Sequence, residues 1–264
     1  MIASPIIIYE KKESVASIKL NRPEVLNALN QALFRDLTAA LDEAENDADV
    51  RVVVVSGAGR AFCAGQDLRE PEFETIEAMH KIGSPPSDPF ERIETMSKPV
   101  VAAVHGYAVT GGFILACSCD IVVASEDARF ADTHARWGIL PSGAITQRWS
   151  RKAGLTRAKY LMLTSEFITA RDAERMGLVA RVVATGKLDS AVQEIVGLLL
   201  KNSQRAMAHI KTMMNRGFEV DFATAVRMET MAAKWKSADN ELFHERTRRL
   251  TDFKDKRARA SDTP

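Results

Sequence analysis

Apolar positions along the chain change their period several times, and each change marks an element. Two extended segments, Ile6 to Lys11 and Val15 to Leu20, are split by charged residues, a spacing that predicts a hairpin. Asn21-Arg22-Pro23 ends it. Asn30 then caps a helix whose apolar residues Leu33, Leu37, Ala40 and Leu41 recur at helical spacing to about Asn46. Val52 to Val55 is a short continuous apolar run, closed by Ser56-Gly57-Ala58-Gly59. A polar stretch, Gly83-Ser84-Pro85-Pro86-Ser87-Asp88-Pro89, predicts a mobile loop. Val100 to Val104 reads as another buried strand, followed by a turn at His105-Gly106, a Gly111-Gly112 pair, a helical segment from Phe113 and a short strand at Ile121 to Ala124. Strands that alternate with helices in this way predict an α/β fold, with parallel or stacked sheets covered by helices.

Beyond Ser142 the pattern turns helical. Ala153 to Leu163 and Ala170 to Met176 read as helices, with Gly177 as a stop signal and Val179 to Val183 as a last strand. From Lys187 onward strand signals disappear. Four helical stretches follow, at about 188–201, 203–216, 220–236 and 239–253. The charged end, Arg246 to Arg259, reads as a solvated helix face.

Composition narrows the function classes. With 46% hydrophobic and 27% charged residues the 264-residue chain has the balance of a globular protein, which excludes extended disorder. A net charge of +1 disfavours nucleic acid or a membrane surface as the main partner. The start, MIASPIIIYEKK, has too short an apolar part for a signal peptide or a membrane span. Cys63, Cys117 and Cys119 cannot all pair with one another and show no metal-ligand spacing, so reduced thiols in a cytoplasm are expected.

Candidate chemistry centres on residues 98–148. A strand that ends in glycines at a helix start leaves backbone N–H groups unpaired and aimed at one spot, which suits an oxyanion or a phosphate. The glycine loop after Val55 invites a dinucleotide reading, but it lacks the GxGxxG spacing and no helix follows at once.

NRPEVLNAL, AFCAGQDL, KPVVAAVHGYAVTGG, CDIVVASEDARF, the GILPSGAITQR stretch and the late DFKDKRA stand in one order over most of the chain. Together they resemble the enoyl-CoA hydratase/isomerase (crotonase) superfamily. The resemblance implies a crotonase-like spiral of ββα repeats over residues 1–200 and a C-terminal helical trimerisation region over 201–264. It also implies a homotrimer or a dimer of trimers and an acyl-CoA thioester as ligand. Coenzyme A then belongs to the substrate, with no separate cofactor and no metal.

By the same resemblance, the backbone N–H groups of Gln66 and Gly111 hold the thioester carbonyl as it gains enolate character. A donor placed before reaction is worth roughly 3–4 kcal/mol in other enzymes. A side chain at Gly111 would obstruct the approach of the thioester, and Gly112 completes the pair. The adenine is expected against the backbone of Ala64, Gly65, Gln66, Asp67 and Leu68. Arg69 is expected near a phosphate, and Phe253 and Lys256 are expected at the nucleotide pocket of a neighbouring subunit. Glu24 stands where relatives often carry a basic residue, so one phosphate contact is expected to be missing.

The departure lies in the acid/base machinery. Family hydratases use two glutamates, and in register these fall on Ile114 and His134; the aspartate position of some isomerases falls on Ser142. Isoleucine neither accepts a proton nor orders a water, so the two-carboxylate mechanism cannot run as written. Asp132, Thr133 and His134 remain near the thioester. An imidazole titrates near neutrality, and on an extended segment residues two apart face one side, so Asp132 is expected to orient His134. Trp137 and Ile114 are expected to shape an apolar acyl pocket. His105 reads as a turn or pocket-wall residue, and His80, His209 and His244 as surface or packing residues. Three functions fit: a CoA-thioester enzyme with non-standard acid/base groups, a slow hydratase relying on His134, and an acyl-CoA binding protein that has lost the chemistry.

Overall fold

The computed structural model describes residues 4–70, 88–237 and 240–261. Two compact units divide after Lys201. The first is built on a six-stranded sheet in the order β1-β2-β3-β4-β6-β9. Here β1 is Ile7–Lys12, β2 Val15–Leu20, β3 Val52–Gly57, β4 Val100–Val104, β6 Ile121–Ser125 and β9 Arg181–Val183. β1 and β2 form the expected antiparallel hairpin, and every later pairing in this sheet is parallel. A smaller sheet joins β5 (Tyr107–Val109), β7 (Arg129–Ala131) and β8 (Ile168–Thr169).

The continuous apolar runs have a physical reason. A parallel sheet covered on both faces must bury both sets of alternating side chains. Val53 and Val55 enter the larger core, which also takes Leu33, Leu37, Leu41, Phe113 and Trp149. Val52 and Val54 face the other way, onto Ala191, Val192 and Val196 of the helix Leu188–Leu200. The helix Gln31–Asn46 starts at Asn30, whose side chain accepts from the Leu33 N–H at 2.9 Å. It ends over Lys98, a buried ammonium that donates to the Ala44 and Asp47 carbonyls. Such donors complement the negative end of a helix.

Several elements differ from the sequence expectation. Residues 83–87 of the expected loop lie outside the described residues, as does His80, but Asp88 caps a helix, Pro89–Thr95. A proline at a first helical position is compatible with helix because its missing N–H would be unpaired there anyway. The helix expected over Ala153 to Leu163 occupies Leu155–Thr164, and an unexpected helix, Ile145–Ala153, precedes it, the two separated at Gly154 (φ 79°). The ends of β5 and β8 are too short to leave a period-two signal.

The second unit, Asn202–Pro264, is helical: Gln204–Gly217, Phe222–Ser237 and Asn240–Ser261. Ser203 caps the first of these and donates its hydroxyl hydrogen to Glu245 of the last. Among the described residues no helix is long and apolar enough to cross a membrane.

Candidate active site

Three segments run side by side and in the same direction: residues 63–66, β5 and β7. Cys63 bridges Ala108, and β5 pairs with β7 through Tyr107–Arg129, Ala108–Phe130 and Val109–Ala131. Their carboxyl ends therefore emerge at one edge. Gln66 follows the first, Thr110 and Gly111 the second, and Asp132 to His134 the third. Parallel strands commonly present ligand-binding groups at this end.

The hydrogen bonds around Gln66 account for its free amide. The Leu29 N–H donates to Gly65 O at 2.7 Å, and the Asp67 N–H donates to Leu29 O at 2.8 Å. The residues on either side thus pair with Leu29, and the pleat turns the Gln66 N–H to the opposite side. On that side lies Gly111. A Cβ added to Gly111 would sit 2.7 Å from Leu29 Cδ1, 3.4 Å from Gly65 Cα and 3.5 Å from Gln66 N. Gly111 opens the helix Gly111–Ser118, so its own N–H has no intrahelical acceptor. Among the described residues, neither the Gln66 nor the Gly111 amide donates a hydrogen bond.

Close approach of these loops depends on missing side chains. Gly65 has φ 99°, and a Cβ there would meet Val109 O at 2.8 Å. At Gly112 it would meet Cys63 O at 2.1 Å. Thr110 carries the unusual backbone, with φ 47° and ψ −103°. A β-branched residue held there costs about 1–3 kcal/mol. Its N–H donates to Ala131 O at 2.8 Å, its Oγ1 lies 2.6 Å from Thr133 Oγ1, and that same oxygen accepts from the Thr133 N–H at 3.2 Å.

Asp132 and His134 do meet, but not on an extended segment. Thr133 turns (φ −109°, ψ 13°) and His134 opens a short helix, His134–Trp137. Asp132 Oδ1 accepts from the His134 backbone N–H at 3.2 Å, an Asx-type turn that brings the imidazole over the carboxylate. His134 Nδ1 lies 3.0 Å and 2.9 Å from the two carboxylate oxygens. An ionised carboxylate only accepts, so Nδ1 carries the hydrogen and Nε2 is the acceptor of the neutral ring. Nε2 has no partner among the described residues. Asp132 is fully buried and His134 nearly so.

The remaining candidates divide. Ile114 is buried, and a Cβ on Gly143 would come within 3.2 Å of its Cγ2 and 3.1 Å of the Phe90 ring, so an apolar group of Phe90, Ile114 and Gly143 occupies that position. Trp137, expected beside Ile114, stands 61% exposed on the first unit. Arg69 is not a free cation: its Nε and Nη2 donate to Asp67 at 2.9 Å and 3.0 Å. Asp67 also accepts from Arg22 at 3.0 Å. The Arg69 guanidinium first, together with Arg22, holds the Asp67 carboxyl down at about 2. The Asp67 side chain thus bonds arginines; along the Ala64-to-Leu68 backbone the Ala64 and Asp67 N–H groups donate to Leu26 O and Leu29 O. Phe253 lies on the last helix, 60% exposed, and the Lys256 side chain lies outside the described residues. All three cysteines are buried and none forms a disulfide, and burial pushes the Cys63 and Cys117 thiols up to about 12, which leaves those two inert.

Sequence reasoning passed over Thr110 and Asn27. The latter is wholly buried in the left-handed region (φ 56°), and its amide donates to the Ala58, Ala61 and Phe62 carbonyls just before Cys63. An asparagine tolerates that backbone, which was the available signal.

Comparison with known proteins agrees with this architecture. The family model described as enoyl-CoA hydratase/isomerase matches residues 10–259. A probable peroxisomal enoyl-CoA hydratase 1 of Arabidopsis thaliana is 40% identical over 227 residues, 84% of either chain. A short-chain-enoyl-CoA hydratase of Clostridium acetobutylicum is 40% identical over 228 residues, covering 86% of this chain and 87% of that one. The solved structure of an enoyl-CoA hydratase from Bacillus anthracis superposes with a TM-score of 0.87 at 33% identity, covering 95% of this chain and 96% of that one. The fold, the order of the motifs and these similarities together show that the chain belongs to the enoyl-CoA hydratase/isomerase family.

Proposed function

We propose that the protein is an enzyme acting on an acyl- or enoyl-CoA thioester. The Gln66 and Gly111 amides form its oxyanion hole, and His134, oriented by Asp132, is its acid/base group. The observation that carries this reading is the pair of unaccepted amides on adjoining loops, one freed by the pleat and the other by a helix start. Donors fixed in advance stabilise enolate charge without reorganisation. His134 Nε2, held in the accepting tautomer, takes a proton from the substrate carbon and returns it, as an isomerase or lyase requires. Coenzyme A is part of the substrate, and no step invokes a metal or separate cofactor. The substitution of both family glutamates weighs against ordinary two-carboxylate hydration. Exposed Phe218, Phe222, Phe243 and Phe253 on the helical unit support self-association, as a trimer or a pair of trimers.

The buried Ile114 favours a second reading, an acyl-CoA binding protein without turnover. One experiment tests both. Crotonyl-CoA turnover is followed by absorbance beside a calorimetric titration with the same ligand, for the parent and for His134→Ala. The enzyme reading expects parent turnover lowered about 10²–10⁴-fold in the variant, with affinity nearly unchanged. Full turnover in the variant would sink the assignment of His134. Tight binding without turnover in the parent would retire hydration and isomerisation of this substrate.

A further inference from the structure

We propose that Thr110 is a positioning residue for the oxyanion donors and that it acts through its hydroxyl. The inference rests on the reading of Gln66 and Gly111 given above. Thr110 adjoins each of the three segments that form the site. It immediately precedes Gly111, and its φ of 47° and ψ of −103° set the direction in which the Gly111 N–H leaves the chain. Its Cβ lies 3.2 Å from where a Cβ on Gly65 would stand, so it packs over the residue before Gln66. Its Oγ1 lies 2.6 Å from Thr133 Oγ1 and accepts from the Thr133 N–H, and Thr133 lies between Asp132 and His134.

A threonine in this backbone region is strained, and strain persists only where surrounding contacts hold it. Three hydrogen bonds do so, and two of them use the side-chain oxygen. Valine has the same shape and the same β-branched strain but lacks the oxygen. Thr110→Val therefore keeps the strain, removes what holds it, and leaves the buried Thr133 N–H without its acceptor. Serine keeps the oxygen with less crowding. The hydroxyl pair thus links the loop that carries the Gly111 donor to the loop that carries the acid/base histidine.

The test uses a chromophoric thioester, 4-dimethylaminocinnamoyl-CoA, whose absorption moves to the red when its carbonyl is polarised. The shift at saturation reads donor alignment, whereas a merely structural threonine would alter stability and leave it in place. The parent is expected to shift the bound probe. Thr110→Val is expected to lose about half of that shift or more while still binding, and Thr110→Ser to keep it. Thr133→Val, which removes the opposite hydroxyl and leaves Thr110 intact, is expected to lose shift in the same direction and carries the test if Thr110→Val does not fold. An undiminished shift in the folded valine variants overturns the inference. A parent that binds the probe with no shift refutes the oxyanion reading and this inference with it. A parent that does not bind the probe refutes the thioester reading itself.

Discussion

Two neighbouring glycines should respond to the same methyl group in opposite ways. At Gly111 the added Cβ presses on Leu29 Cδ1 at 2.7 Å, the far end of a buried but flexible side chain. The backbone there is not left-handed, and alanine favours a helix by up to ~1 kcal/mol over glycine. Overpacking costs about 1–3 kcal/mol. The net loss is therefore about 0–3 kcal/mol, a melting shift of roughly 12 °C or less for a unit of this size. The functional effect is larger, because the methyl carbon stands 3.5 Å from Gln66 N and fills space where a carbonyl oxygen would accept from both amides. Removing one such donor costs about 10²–10³ in turnover. At Gly112 the methyl meets the Cys63 carbonyl oxygen at 2.1 Å and its carbon at 2.8 Å. Backbone on both sides cannot rotate away, and a loss above ~4 kcal/mol is expected. The assay pairs thermal melting with turnover or with binding of an acyl-CoA. Gly111→Ala should melt within about 12 °C of the parent and fail on the thioester, whereas Gly112→Ala should fail to fold well. Turnover by Gly111→Ala within about tenfold of the parent would refute the placement of the carbonyl between the two amides.

Two further outcomes follow from buried charges. Asp67 has a depressed carboxyl pKa of about 2, so its pairing with Arg69 and Arg22 stabilises the fold fully above the ordinary value of 3.8 and is lost as pH falls toward 2. Acid unfolding of Asp67→Asn should lack that component between those limits; identical acid curves for parent and variant would contradict it. Lys98→Met should lower stability by about 2 kcal/mol, read by urea unfolding, because it takes the buried Lys98 donor from the Ala44 carbonyl and leaves the Asp47 carbonyl with only the Val50 N–H. Burial lowers the Lys98 pKa, so part of the lost bonding is offset by the desolvation that methionine avoids. An unchanged midpoint would show that water satisfies those carbonyls equally well.

How much could be read in advance depended on the range of the interaction involved. Local signals were enough for the hairpin of β1 and β2, the Asn30 cap, the Val52 and Val100 runs and the helix after Gly112, because periodicity and capping act within a few residues. The split at Gly154 and the helix at Pro89 were hidden, since a glycine or a proline marks an element's end or its start with equal ease. The Asp132–His134 contact was expected for the wrong reason: an Asx turn makes it, and a strand does not.

By itself, the sequence determined which residues are available: two glycine sites, a histidine, an isoleucine beside the second glycine pair, and apolar runs that require a sheet covered on both faces. Tertiary structure alone decided which backbone groups remain free. The Gln66 amide is left over because Leu29, thirty-seven residues away in sequence, takes the bonds on either side of it. Arg69 is occupied because it and Arg22 converge on the Asp67 carboxylate, and the strain at Thr110 is held by β7 and Thr133. Hydrogen-bond partners distant along the chain leave no periodic trace, so their accounting appears only when the strands stand side by side.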